Sequence, residues 1–310
     1  MGEFFKGIIK ELYSVIGELV KFLFDGVIGD FLGQVFNGIA YVLFQGGMDW
    51  YNKLIDMAAG LLIQNPKSWV GGEGWSVVTG VNSAFIATGA TIVIAVWYIN
   101  LIQMSCDLHL KINSDIMIKQ GIKLGAALFL VNKSIDLVAA FFGTVDMLTA
   151  GLGSVNDLHM TMPKEIADLL NADKPDLVTS VIALFFSVVF LGGSVMAGAG
   201  CAYIAFIRFF KILLVIPYGA IASAQVAGGQ SFSHGTVSYY KYVIASIFDG
   251  VTMLLALKLS ASIISTIMTD QPMKTSADLM GWVIKATLLM FVTFGAVKES
   301  SQITQRGLGL

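Results

Sequence analysis

Long apolar runs separated by short polar stretches set the pattern of this chain. The most extreme runs from Leu177 to Val226, where the only charges are Arg208 and Lys211 and the only proline is Pro217. A helical crossing of a bilayer takes about 20 apolar residues. The run therefore predicts two crossings, 177–206 and 209–227, with a hinge at Arg208 and Lys211. Residues 78–106 predict another, uncharged until Asp107 and preceded by Trp69 and Trp75, aromatic residues suited to the headgroup level. Residues 120–149 predict a further crossing, with Gly121 and Gly125 at a spacing that lets helices approach closely. Crossings at 242–268 and 279–297 bring the expected total to six.

Two segments read less simply. Residues 36–63 are apolar but carry Asp49, Lys53 and Asp56 at i, i+4 and i+7, all on one helical face. They form either a seventh crossing that faces protein or water, or a helix lying at the interface. In residues 3–35, Phe4, Ile8, Leu12, Val15, Leu19 and Phe22 recur at helical spacing, with most charges elsewhere on the wheel. This predicts an N-terminal amphipathic helix, either in the membrane interface or packed on a neighbouring subunit, loosened at Gly26, Gly29 and Gly33. Glu3, Lys6, Lys10 and Glu11 interrupt any signal-peptide core, so insertion by the chain's own spans is expected.

The polar stretches complete the organisation. Residues 150–176 hold Asp157, Glu165, Asp168, Asp173 and Asp176, with Pro163 and Pro175 bracketing a short surface helix. Residues 228–240 read as a polar, uncharged loop, and 269–278 as a turn around Pro272. The expected class is an all-α polytopic membrane protein: an amphipathic region 1–35, a membrane block 36–149, an external loop 150–176, a second block 177–297 and a polar tail 298–310. No tandem repeat or low-complexity segment interrupts this order. Positive charge favours the cytoplasmic side. It places the connector with Lys111 and Lys119, and the hinge with Arg208 and Lys211, inside. Strict alternation then puts the tail, with Lys298 and Arg306, outside against the rule, which points to a miscounted crossing after residue 206.

Composition sharpens the class. Only 13% of the 310 residues are charged, against about 25% in soluble proteins. The mean hydropathy is +0.77. Net charge is −2 and the only arginines are Arg208 and Arg306, which argues against a phosphate-reading surface. The two cysteines, Cys106 and Cys201, read as small apolar side chains rather than a disulfide framework or metal site.

No catalytic constellation is visible: there is no phosphate-binding loop, dinucleotide fingerprint or helical pair of metal-ligating histidines. His109, His159 and His234 fall in separate connectors. No enzyme activity, cofactor or metal is expected. Ionisable residues within spans are the sharper signal, because a charge in hydrocarbon is costly. They are Lys133, Asp136, Asp249 and Lys258. Lys133 and Asp136, three apart, form either an ion pair facing the bundle or part of a wet stripe. Asp249 and Lys258 lie about 13.5 Å apart along a helix, so each needs a partner on another helix, a water-filled lumen or a route to the surface. Lys285, near a span end, snorkels. Gly192, Gly193, Gly198 and Gly200 predict close helix packing within the chain, a subunit contact or a break at a gate. Pro217 predicts a kink.

The layout, with its amphipathic start, early crossings, polar external loop and C-terminal cluster of crossings, resembles the TrbL-type polytopic subunits of conjugative type IV secretion systems. The stretch Arg208, Lys211, Pro217, Gly219 is similar to the arginine-then-proline span of that group. The resemblance implies a channel or scaffold subunit in a bacterial cytoplasmic membrane that helps DNA or protein cross. It also implies a multimer working with other secretion subunits, including separate ATPases. The competing expectation is a small-solute or ion transporter. Such folds commonly pair two related halves with broken helices, and no break in the first half matches Gly192–Gly200. An integral-membrane enzyme is the third expectation; it requires clustered His, Asp or Glu that the spans lack.

Overall fold

A computed structural model describes residues 27–106, 114–152, 159–171, 176–269 and 275–309. The described residues form helices and no strands. In chain order they are α1 (Val27–Ile63), a 3-10 turn (Trp69–Gly72), α2 (Glu73–Cys106), α3 (Ser114–Asn132), α4 (Ser134–Gly151) and α5 (Lys164–Leu170). Then come α6 (Leu177–Val215), a 3-10 turn (Ile216–Tyr218), α7 (Gly219–Ala224), a 3-10 turn (Gln225–Gly228), α8 (Gln230–Thr269) and α9 (Ser276–Gly307). The expected amphipathic helix before residue 27, together with His109, Lys111 and Pro272, lies outside the described residues.

Among the described residues, five segments are long and apolar enough to cross a membrane: Glu73–Cys106, Ser134–Gly151, Leu177–Gly228, Ser233–Ile267 and Ala277–Gly307. This is the make-up of a multi-pass membrane protein. Helix α1 is not among them; its apolar face is interrupted by Asp49, Lys53 and Asp56. Hydroxyls in the spans turn back on their own helices, as from Thr88 to the Ala84 carbonyl (2.9 Å), Thr91 to Ala87 (3.0 Å) and Thr293 to Leu289 (3.0 Å). Such bonds let polar side chains sit in an apolar run without an unsatisfied donor.

Several boundaries differ from expectation. Helix α1 runs unbroken from Val27, through Gly29 and Gly33, so there is no division at residue 35. The expected crossing at 120–149 is interrupted at Lys133, which separates α3 from α4. Residues 230–240 belong to α8 rather than to a loop, and the tail is helical to Gly307. The largest correction concerns Arg208 and Lys211. No hinge exists there, because α6 passes through both residues and α-helical geometry ends only at Ile216–Tyr218, around Pro217. At about 58 Å, this 39-residue helix exceeds the roughly 30 Å hydrocarbon core.

The chain divides into two compact units. The first holds residues up to Gly60, Ser154–Ile204 and Leu255–Lys298. Its centre is an aromatic cluster in which Phe44 meets Phe190 (5.4 Å between centroids) and Trp282 (6.4 Å), and Phe190 meets Trp282 (5.5 Å). Around it, glycines on α6 admit neighbours where a side chain would intrude. A Cβ at Gly193 would lie 2.6 Å from Thr287, one at Gly198 3.0 Å from Leu54, and one at Gly200 2.5 Å from Phe294.

The second unit holds Leu61–Gly153, Ala205–Leu254 and Glu299–Leu310. One apolar cluster joins Val78 of α2, Ile135, Val138 and Phe142 of α4, Ile212 and Leu213 of α6, and Val243 and Ile247 of α8. Another joins Val93 of α2, Ala127 and Val131 of α3, and Ala220 and Ala224 of α7. Trp69 stacks on Phe209 at 5.2 Å and meets Phe206 and Phe210 edge-on. Helix α2 nevertheless buries only 22% of its most apolar window, leaving Ile94, Tyr98 and Ile102 on an open face.

Candidate functional site

Within the second unit, a buried polar cluster forms around Arg208. Ala205, Arg208, Ile212 and Ile216 are spaced by three or four residues along α6 and its 3-10 end, and all are buried. Arg208 thus occupies a core position of an apolar helix, the same face that carries its aliphatic neighbours inward. On α8 the facing positions are Ser246, Ile247, Asp249 and Gly250.

The guanidinium is anchored by backbone. Its Nε donates to the Ser246 carbonyl (3.3 Å) and its Nη2 to the Ile247 carbonyl (2.9 Å). It lies directly against Gly250, where a Cβ would collide with the guanidinium carbon. Helical carbonyls keep a spare lone pair, so α8 accepts these bonds without losing its own ladder. The Phe209 ring stands 5.9 Å from the guanidinium.

Asp249 is 7% exposed. Its Oδ1 is buried with no hydrogen-bond partner. The Thr304 hydroxyl lies near the carboxylate, and Arg208 and Lys211 supply opposite charge. Thr304 also stands 2.9 Å from the Thr252 hydroxyl and 3.0 Å from the Ser300 carbonyl. It has one proton to give between the two. Arg208 and Asp249 therefore sit as opposite charges in one apolar interior, the arrangement that makes buried charge tolerable.

Replacing Gly250 with alanine forces the guanidinium off its two carbonyls, because the new methyl occupies its place. We expect a loss of about 1–3 kcal/mol in detergent-solubilised unfolding. Alanine at Gly192, where nothing lies within 4 Å, serves as the tolerated control.

The structure brings together only some of the residues singled out by sequence. Asp249 is enclosed in the same interior as Arg208, whose own hydrogen bonds go to the Ser246 and Ile247 carbonyls. Lys211, one turn beyond Arg208 towards the C-terminus, is exposed. Lys133 and Asp136 pair at 3.0 Å on the surface, with side chains 55% and 67% exposed. Lys258 is half-buried on α8 in the first unit. Gly193, Gly198 and Gly200 pack within the first unit, whereas Gly192, Gly121 and Gly125 face open space.

Pro217 is buried in the 3-10 turn that ends α6. Here the Tyr239 hydroxyl lies 3.1 Å from the carbonyls of both Val215 and Ile216, capping backbone at the break. Ser246, Gly250, Thr304 and Tyr239 are the participants that sequence reasoning missed. The usable signal was Gly250 beside Asp249: an acid next to a glycine inside an apolar run marks a place where a bulky group can approach the backbone.

Cys106 is exposed and Cys201 buried; both are free thiols. No group of three or more His, Cys, Asp and Glu side chains suited to a metal occurs among the described residues.

No family model, curated protein or solved structure matches the chain. The functional reading therefore rests on the cluster, the spans and the resemblance of layout.

Proposed function

We propose that this chain is a channel or scaffold subunit of a conjugative type IV secretion machine, multi-pass in the cytoplasmic membrane of a bacterium, assisting DNA or protein passage. The observation that supports the reading is the Arg208–Pro217 tract. Arg208 ties α6 to α8, and Pro217 ends α6 at the turn that Tyr239 caps. A charge retained in an apolar helix bundle marks function or specific assembly rather than bulk stability. The open apolar faces of α2 and α4 suit lipid and further copies of the chain. Energy would come from separate ATPases.

The test is genetic and biochemical. Deleting the gene should abolish conjugative transfer from its host, and restoring the parent sequence should recover it. The detergent-extracted protein should run as a large assembly and co-purify with a secretion ATPase. Undiminished transfer in the deletion strain would refute the assignment. The alternative, a small-solute or ion transporter, draws on the unpartnered Asp249 oxygen as a place for a cation. It predicts a monomer or small oligomer and solute uptake that Asp249→Asn removes.

A further inference from the structure

The first unit contains a cavity of about 300 Å³ outside the arginine cluster. One wall is apolar: Ile55 of α1, and Leu257, Ala261 and Ile264 of α8, whose spacing of four and three puts them on one helical face. The lining also includes His159 and Thr161 of the connector entering α5, and Lys164 and Glu165 of its first turn. That connector is clasped to α1 at two points one turn apart. The Asn52 side chain bonds both the carbonyl (2.9 Å) and the amide (2.8 Å) of Met160. Both Asp56 oxygens lie 2.9 Å from His159 Nε2.

The clasp decides the charge available to a ligand. Asp56 is engaged with His159, which leaves Lys164 and Glu165 as adjacent opposite charges at the rim. A soluble ligand would not require the apolar wall, and a pure hydrocarbon would strand the two charges. An amphiphile with a zwitterionic head satisfies both. The volume is at the lower end for ligand pockets, roughly 300–1,000 Å³, enough for a headgroup and the first carbons of a tail.

We propose that this cavity binds a zwitterionic phospholipid carrying a primary ammonium, its phosphate towards Lys164 and its ammonium towards Glu165. The inference needs only the membrane setting and stands apart from the secretion reading. The test is native mass spectrometry of the full chain in detergent, titrated with phosphatidylethanolamine, phosphatidylglycerol or tail-less glycerophosphoethanolamine. Phosphatidylethanolamine should bind about fivefold more tightly than phosphatidylglycerol, the scale of one favourable ion pair. Ala261→Trp, which fills the apolar wall, should remove binding. Glu165→Lys, at an exposed position, should reverse the preference between the two lipids. The proposal is overturned if Ala261→Trp, with its thermal transition unchanged, still binds lipid like the parent. It is equally overturned if Glu165→Lys leaves the preference intact. Competition by the tail-less compound as strong as by the lipid would assign the cavity to a soluble zwitterion instead.

Discussion

Arg208→Met is expected to destabilise the protein by about 3–5 kcal/mol, because it removes two charge-assisted hydrogen bonds to α8 and the cation that shares an interior with Asp249. The substitution keeps length and apolar volume while removing the cation. Asp249 then remains almost wholly enclosed, with one oxygen lacking any hydrogen bond. Lys211 cannot replace the guanidinium, because it sits on the exposed side of α6. The double variant Arg208→Met with Asp249→Asn removes both charges and should recover most of the loss, since buried ion pairs are often replaceable together at little net cost. Chemical unfolding of all four proteins in one detergent gives the coupling term, expected at about 2–3 kcal/mol. A single variant as stable as the parent would remove the electrostatic account of this cluster.

Gly89→Leu is expected to cost about 3 kcal/mol or more, at the upper end for overpacking. At this position α2 passes so close to α7 that a Cβ would lie 2.9 Å from the Ala220 carbonyl oxygen and 3.1 Å from its carbon. Backbone cannot rotate aside as a side-chain tip can, so the two helices must separate and open the cluster of Val93, Ala127 and Val131. Gly80, on the same helix, has nothing within 4 Å. Gly80→Leu should therefore stay within about 0.5 kcal/mol of the parent. Thermal stability by fluorescence-detected size exclusion separates the two outcomes. Equal midpoints would show that α2 and α7 do not pack at Gly89.

The polar residues at 228–240 show why some elements escaped sequence reading. Ser, Thr and Tyr with no strong apolar period read as a loop, yet the segment opens α8. Its hydroxyls are satisfied by α7 and the end of α6: Thr236 donates to the Ala222 carbonyl at 2.6 Å, and Tyr240 pairs with Ser223 at 2.8 Å. Gly229, with φ of +76°, makes the abrupt change of direction that lets α8 begin at once. The tail is similar: Ser300 is buried and Thr304 meets Thr252, so a polar stretch remains helical through a partner 52 residues away in sequence.

Arg208 carries the same lesson in sharper form. Read against lipid, two cations in a long apolar run imply a turn at the membrane surface, because a lone helix offers a guanidinium no acceptor. The acceptors are carbonyls on α8, 38 and 39 residues later.

What the chain's own order of residues determined was the helical class and the apolar segments themselves. Both follow from local terms: hydrophobic run length, helical periodicity and the need of backbone groups to bond within their own segment in hydrocarbon. Tertiary structure alone decided which helix faces meet, that Asp249 shares its interior with Arg208, and that Gly250 and Gly89 must remain glycine. Those outcomes depend on distances between segments remote in sequence, where a single atom's approach to a carbonyl or a guanidinium sets the sign of the energy.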